Sequence, residues 1–206
     1  QDVIEGSDLL VASGKIPNTD GIGLVAAAIE RDHRGFVKVD ERLRTTAPGL
    51  WAVGDCAGSP HFTHIALDDV RVVRDNLAGI DRTTIGRLVP FCLFTDPELA
   101  RVGLSESEAK SRGIAYRLTK IPVTAVLRSR TLSEPRGFYK ALVATDSDRI
   151  LGFTAFAPEA GEVMTIVQIA MNAGLPYMTL RDTILTHPTM AEGLAALFQG
   201  VKSQTR

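Results

Sequence analysis

The sequence predicts an α+β fold in which an antiparallel sheet is combined with helices, and three observations support this. Apolar or alternating runs at residues 115–123, 137–144 and 149–157 have the length and pattern of strands. The segment "TDSD" between the last two runs has the composition of a turn, which predicts an antiparallel hairpin. Helical patterns follow these strands instead of alternating with them, which is typical of α+β domains.

The N-terminal part begins with three shorter strand candidates at residues 8–12, 36–39 and 50–53, each bounded by Gly, Pro or Asp. We expect them to be buried strands of a first sheet. From Thr63 to Leu77 the apolar residues recur at three- and four-residue steps, and Gly79 follows as a stop signal. This predicts one amphipathic helix with the apolar positions Ile65, Ala66, Val70, Val73 and Leu77.

The composition changes between Thr83 and Pro90, where the polar segment "DRTTIGR" leads to the apolar run "LVPFCLF" and the turn "TDPE". We therefore expect two domains, residues 1–86 and 87–206. Beyond this boundary, "SESEAKSRG" predicts a helix, since Ser105 and Glu108 have the spacing of a capping box.

A helix is predicted from Glu162 to Ala173, ended by Gly174 and Pro176. Its residues Met164, Ile166, Val167, Ile169, Ala170 and Met171 make both faces apolar. One face can cover the sheet of the domain, and the other then needs a partner, which favours a two-fold dimer formed by residues 88–200. A core helix buried within one subunit fits the same pattern.

The segment "THPTMAE" at residues 186–192 fits both a helix cap and a catalytic group. Proline suits the first helical turn and keeps the preceding residue out of helical geometry, so His187 should lie on the connection. Thr189 and Glu192 have the spacing of a capping box. The apolar residues Met190, Leu194 and Leu197 then continue at helical spacing, and Gly200 can end the helix.

Composition excludes several classes of function. The 206 residues are 45% hydrophobic, the net charge is −1 and the basic residues are scattered, so neither a nucleic-acid nor a membrane surface is indicated. No apolar stretch reaches 18 residues and no leader pattern is present, so we expect a cytoplasmic protein. Cys56 and Cys92 lack metal or redox spacing and are expected to be reduced, and no metal site is predicted. Because a strand candidate follows Gln1 almost at once, we interpret the chain as cut from a larger protein.

The segment "TTAPGLWAVGDCAG" at residues 45–58 is the sharpest signal in the first half. Gly54 allows the backbone to approach a ligand, and the carboxylate of Asp55 can accept hydrogen bonds from a sugar hydroxyl. A Gly-Asp pair after a strand is often only a turn, so the neighbouring segments have to decide.

Four segments in order resemble the flavin-dependent pyridine nucleotide-disulfide oxidoreductases, the group of dihydrolipoamide dehydrogenase, glutathione reductase and mercuric reductase. They are "GKIPN" (14–18), "TTAPGLWAVGD" (45–55), "FTDPELARVGLSESEA" (94–109) and "HPTMAE" (187–192). Residues 62–77 and 173–192 look most like the reactive-chlorine-resistance, mercuric-reductase-like branch, whose activity is NAD(P)H-dependent metal-ion reduction. The resemblance implies the last part of an α/β FAD/NAD(P)-binding domain followed by a dimerisation domain.

For the cofactor, the resemblance implies that Asp55 binds the FAD ribitol and that Gly54 lies near the phosphates. Phe62, Thr63 and His64 would begin a helix whose N-terminus faces the pyrimidine edge of the flavin, with the backbone making the contact instead of the His64 ring. A helix N-terminus suits this position because its amides and partial positive charge stabilise an anionic group.

For catalysis, the resemblance implies that His187 acts as acid and base across the dimer interface toward a redox thiol pair, and that Glu192 orients it. Imidazole suits this because its ordinary pKa is about 6.5. The capping and orienting roles of Glu192 are expected to compete for the same oxygens.

No G-x-G-x-x-G follows a strand, and no closely spaced cysteine pair is present. We therefore expect a C-terminal fragment of a homodimeric FAD- and NAD(P)H-dependent oxidoreductase that neither turns over alone nor retains FAD. The alternative is a non-catalytic dimerisation module. The tail "GVKSQTR" lacks a vicinal cysteine pair, and His187 stands where the best-known mercuric reductases carry tyrosine, which counts against mercuric ion. A disulfide, copper or a quinone stays open as substrate.

Overall fold

The computed structural model describes residues 3–202, so Gln1 and the last four residues of the tail discussed above lie outside it. The chain forms two compact units that divide between Arg87 and Leu88. Each unit is described by itself.

The first unit contains a 3₁₀ turn at Gly54–Ala57 and helix α1 at Thr63–Leu77. The strands predicted at 8–12, 36–39 and 50–53 are wrong. Residues 8–12 have no regular structure, and the other two segments make only isolated bridges, for example Arg44 with Trp51. A strand is stable only beside a neighbouring strand, and Leu9 and Leu10 are each 89% exposed.

Helix α1 has the predicted bounds, but its buried face differs from the predicted one. Val70 and Leu77 are 51% and 64% exposed, whereas Val72 and the carboxylate residue Asp69 are both fully buried. With Ile65, these two residues form a stripe at four- and three-residue steps. The buried stripe of α1 therefore contains a charged residue at its centre.

The second unit is built on a five-stranded antiparallel sheet. Its strands are β1 (Phe91–Leu93), β2 (Glu98–Gly103), β3 (Tyr116–Pro122), β4 (Phe138–Ala144) and β5 (Ile150–Ala157), in the order β1-β2-β5-β4-β3. The predicted hairpin is confirmed by the pairing of β4 with β5. Strand β2 was not predicted; only its first residue, Glu98, was assigned, and that to the preceding turn.

Five helices accompany the sheet in the described part of the second unit. They are α2 (Glu106–Ser111), α3 (Leu127–Thr131), α4 (Ala160–Asn172), α5 (Tyr177–Asp182) and α6 (Gly193–Gln199). The predicted capping box of α2 is confirmed: the N–H of Glu108 donates to Ser105 Oγ at 3.1 Å, and the N–H of Ser105 donates to Glu108 Oε2 at 2.7 Å. The α+β fold class is confirmed.

Helices α4 and α6 cover the sheet and form one hydrophobic core with it. On α4, Val163, Val167 and Ala170 are buried, whereas Ile169 is 63% exposed. Full burial of a side chain as large as valine stabilises the fold by about 1.5–3 kcal/mol. Within residues 3–202, no helix has the length and apolar character needed to cross a membrane.

Candidate functional site

His187 lies on the connection between α5 and a 3₁₀ turn at Met190–Glu192, as predicted. The His187–Pro188 peptide is cis, and Pro188 precedes this turn instead of lying inside it. His187 Nδ1 is 2.8 Å from Glu192 Oε1. The side chain of His187 is 64% exposed and that of Glu192 is 26% exposed. The structure thus brings the two predicted residues into direct contact while leaving the imidazole accessible.

The two roles of Glu192 do not compete, contrary to the expectation from sequence. Its Oε1 contacts the imidazole, and its Oε2 accepts the N–H of Thr189 at 3.0 Å. The Thr189 N–H, followed by the His187 ring, lowers the pKa of the Glu192 carboxyl. One carboxylate therefore closes the turn and holds the histidine at the same time, because it uses a different oxygen for each.

A buried tyrosine and a glycine support this turn from the core. The hydroxyl of Tyr139, on β4, donates to the carbonyl of Met190 at 3.1 Å. Burial raises the pKa of Tyr139, so its hydroxyl stays a neutral donor. A Cβ on Gly193 would lie 2.4 Å from Tyr139 Cε2 and 2.6 Å from Val126 Cγ2. Sequence reasoning missed both supports, although a glycine directly after the "HPTMAE" segment was a signal of close packing.

The predicted cofactor residues lie together in the first unit. Gly54 has φ 69°, and a Cβ there would lie 3.2 Å from Ala66 Cβ on α1. The carboxylate of Asp55 is 53% exposed and forms an ion pair with Lys15 Nζ at 3.3 Å. The close contact with Ala66 means that the Gly54–Asp55 segment packs directly against α1.

Helix α1 begins after Phe62, and no side chain caps its N-terminus. The rings of Phe62 and His64 stack with centroids 5.2 Å apart and an interplanar angle of 17°. Thr63 and His64 are exposed. The exposed carboxylate of Asp55 offers acceptors for hydroxyl groups, and the dipole at the N-terminus of α1 favours an anionic group. These residues therefore fit a cofactor that carries a polyol and phosphates.

Asp69 was not predicted as a site residue, yet it connects α1 to Gly54. Its Oδ2 accepts the N–H of Gly54 at 2.8 Å, and its Oδ1 is 2.6 Å from Arg87 Nη1. The signal in the sequence was its position, four residues after Ile65 and three before Val72. A carboxylate in a buried helical stripe needs polar partners.

The two cysteines are free, and both are partly buried. Burial, followed by the nearby carboxylate of Glu98, raises the pKa of the Cys92 thiol, so this sulfur is a poor nucleophile at neutral pH. Among residues 3–202 there is no group of three or more His, Cys, Asp or Glu side chains placed to bind a metal ion.

Two family models match the chain. The model described as "Pyridine nucleotide-disulphide oxidoreductase, dimerisation domain" matches residues 89–197, and the one described as "Pyridine nucleotide-disulphide oxidoreductase" matches residues 1–69. Both matches confirm the resemblance drawn from the sequence motifs.

Similar proteins agree with these models. The chain is 42% identical to the probable pyridine nucleotide-disulfide oxidoreductase RclA of Escherichia coli, over 94% of this chain and 44% of that protein. It is 36% identical to the dihydrolipoyl dehydrogenase of Thermus scotoductus, over 99% of this chain and 44% of that protein. The solved Cu(II) complex of the HOCl-induced flavoprotein disulfide reductase RclA from Escherichia coli matches with a TM-score of 0.87 and 42% identity, over 93% of this chain and 44% of that one. The chain thus spans less than half the length of these relatives.

Proposed function

This chain belongs to the pyridine nucleotide-disulphide oxidoreductase family, and from this premise we propose that it is the C-terminal part of an FAD-dependent NAD(P)H oxidoreductase. Residues 1–86 contribute to the binding of FAD and NAD(P)H. Residues 87–206 supply the interface of a homodimer and the acid/base pair formed by His187 and Glu192. The substrate that the enzyme reduces is a small disulfide or a metal ion.

The observation that carries this proposal is the 2.8 Å contact between His187 Nδ1 and Glu192 Oε1 beside a largely exposed ring. When the proton of the neutral ring is on Nδ1, the Nδ1–H group donates a hydrogen bond to Glu192. Nε2 can then accept a proton from a thiol. When both nitrogens are protonated, the carboxylate stabilises the imidazolium. His187 can therefore take a proton from a thiol that must become a nucleophile and return it to a leaving thiolate.

The cofactor role rests on Gly54, Asp55 and the start of α1. FAD, when bound, supplies the two-electron chemistry that links NAD(P)H to the substrate. Asp55 would hold the ribitol through its exposed carboxylate, and Gly54 would allow the backbone to approach the phosphates. The start of α1 at Phe62, Thr63 and His64 would stabilise a negative charge through the dipole of the helix.

Two of the similar proteins indicate which substrates to test. One is a disulfide reductase solved as a Cu(II) complex, and another is a dihydrolipoyl dehydrogenase. The decisive measurement uses the full-length protein with NADH or NADPH against copper(II), mercuric ion, lipoamide and glutathione disulfide. We expect copper(II) to be reduced faster than mercuric ion, and a clear preference for a disulfide would exclude the metal-ion alternative and leave the disulfide one.

Substitution of His187 in the full-length protein distinguishes an enzyme that uses this acid/base pair from a non-catalytic assembly module. His187→Gln should lower kcat about 10²- to 10⁴-fold with a disulfide substrate, the usual contribution of a positioned acid/base group. His33→Gln, at another exposed histidine, serves as the matched control and should leave kcat unchanged. Unchanged turnover in His187→Gln would contradict the acid/base assignment.

A further inference from the structure

We propose that the buried carboxylate of Asp69 and the partly buried Arg87 form a pair that positions the Gly54–Asp55 segment for its cofactor. This inference rests on the cofactor role proposed above for that segment. Neither residue touches the cofactor in this proposal, so both are positioning residues that act through Gly54.

Asp69 is buried and fully paired. Its side chain is fully buried on α1, and each of its oxygens has a partner: Oδ2 accepts the Gly54 N–H at 2.8 Å and Oδ1 pairs with Arg87 Nη1 at 2.6 Å. A buried carboxylate is stable only when it is paired and hydrogen-bonded. The two partners of Asp69 therefore depend on each other, because losing one leaves a buried charge half satisfied.

The backbone conformation and the surroundings of Gly54 restrict its position. Its φ of 69° is available to few residues other than glycine, and a Cβ there would crowd Ala66 at 3.2 Å. The N–H of Gly54 is thus directed into α1, while the next residue presents an exposed carboxylate. Because Gly54 is held by its N–H, the location of the Asp55 carboxylate depends on Asp69.

Arg87 is restrained by two carboxylates, and its side chain is 16% exposed. A second carboxylate, Asp68, lies 3.5 Å from Arg87 Nη1 and is itself paired with Arg82 at 2.5 Å. Arg87 is therefore held at its own position by Asp68 and neutralises the charge of Asp69. A charged hydrogen bond of this kind is stronger and more directional than one between neutral groups.

The test compares Asp→Asn changes at Asp69 and Asp75 in the full-length protein. Asp75 is also on α1, is 15% exposed and pairs with Arg74 and Arg82, but in the described structure no hydrogen bond or ion pair links it to Gly54 or Arg87. FAD affinity is measured by titrating the apoprotein and following flavin fluorescence, at a temperature where far-UV circular dichroism shows each variant folded. We expect Asp69→Asn to weaken FAD binding about 10- to 100-fold and to change the visible circular dichroism of bound flavin. Asp75→Asn should change FAD affinity less than about threefold.

Equal FAD affinities of Asp69→Asn and Asp75→Asn would overturn the inference. If Asp69→Asn does not fold, Arg87→Gln and Arg87→Lys decide, since lysine keeps the charge beside Asp69 and glutamine removes it. We expect Arg87→Lys to retain most of the FAD affinity that Arg87→Gln loses, and equal affinities would again overturn the proposal.

Asp55→Asn distinguishes this inference from the proposed function. If Asp55→Asn leaves FAD affinity unchanged, the cofactor assignment of the segment fails, and the positioning role fails with it. If Asp55→Asn weakens FAD binding and Asp69→Asn does not, only the positioning role fails.

Discussion

Gly193, which directly follows Glu192, has no room for a larger side chain. Its position between the Tyr139 ring and Val126 leaves no space for a Cβ, although its φ of −59° is ordinary for any residue. The constraint is therefore one of packing and not of backbone conformation. Protein cores resist added volume because they are already packed as densely as organic crystals.

Gly193→Ala should lower the free energy of unfolding by about 1–3 kcal/mol, the usual cost of overpacking a core. The measurement is urea unfolding followed by circular dichroism. Gly161→Ala is the matched control, because its Cβ would meet Cys92 Sγ at an ordinary 3.6 Å, and alanine favours the helix in which it lies. Equal stability of Gly193→Ala and the wild type would show that the Tyr139 ring can move aside.

The Glu192 carboxyl gives the stability a defined pH dependence. Its pKa is lowered from the ordinary 4.5, first by the Thr189 N–H and then by His187. A carboxyl whose pKa is lower in the folded state stabilises the fold above its unfolded pKa, and this contribution disappears as the pH falls through the folded pKa. We therefore expect wild type to exceed Glu192→Gln in stability at pH 6–7, and the difference to disappear below the ordinary pKa of 4.5.

Urea unfolding at a series of pH values between about 3 and 7 measures this difference. Glu162→Gln, at an exposed glutamate on α4, is the control and should give a difference near zero throughout. A difference between wild type and Glu192→Gln that stays constant down to pH 3 would contradict the assignment.

At the scale of elements, helix α4 shows an apolar surface on the side away from the sheet. Ile169 is 63% exposed, whereas Val167 is buried. Met171 is only half-exposed, and its Cε would lie 2.8 Å from a Cβ at Gly103. Met171 therefore packs on the sheet of its own unit, and a charge there would disturb the fold as well as any interface.

Ile169→Glu should weaken self-association of the chain at least tenfold while leaving the far-UV circular dichroism unchanged, because a carboxylate is costly to bury in an apolar interface. Sedimentation at micromolar concentration measures the dimer fraction. Gln199→Glu, at an exposed position on α6, adds the same charge elsewhere and should have no effect. A wild-type chain that is monomeric under these conditions would contradict the proposed dimer.

Elements fixed by neighbouring residues could be predicted, and those fixed by distant ones could not. The capping box of Ser105 and Glu108 and the β4–β5 hairpin depend on a few adjacent residues. Strand β2 depends on β5, whose paired residues are 49 to 59 positions away in the chain, and a local turn pattern concealed it. Residues 8–12 have strand composition, but no strand of the described chain pairs with them.

The same distinction applies to the site. His187 and Glu192 are five residues apart, so one short segment was enough to identify both. The pair of Asp69 and Arg87 is 18 residues apart, and charged residues in a helix are usually assigned to its solvent face. Only the three-dimensional contact with Gly54 gave grounds for proposing a positioning role for Asp69.

At the scale of the whole molecule, the chain represents 44% of the length of relatives such as RclA. It contains the Gly54–Asp55 segment but no G-x-G-x-x-G motif after a strand. The backbone amides of that motif are what normally hold the phosphates of a dinucleotide.

The purified chain of 206 residues should therefore contain far less than one FAD per chain. Its absorbance between about 350 and 500 nm measures this, with free FAD as the reference. Addition of excess FAD followed by gel filtration should leave the protein fraction colourless. A yellow protein with one flavin per chain would show that the segments present here are sufficient for binding.

The division of labour between the two oxygens of Glu192 also limits what evolution can place at that position. Aspartate keeps the charge but is one methylene shorter, so it cannot span both the Thr189 N–H and the His187 ring that glutamate reaches. Glutamine keeps the length but retains one acceptor oxygen and loses the charge that stabilises an imidazolium. If Glu192 has the proposed catalytic role, selection for the turn and selection for the chemistry act on the same codon.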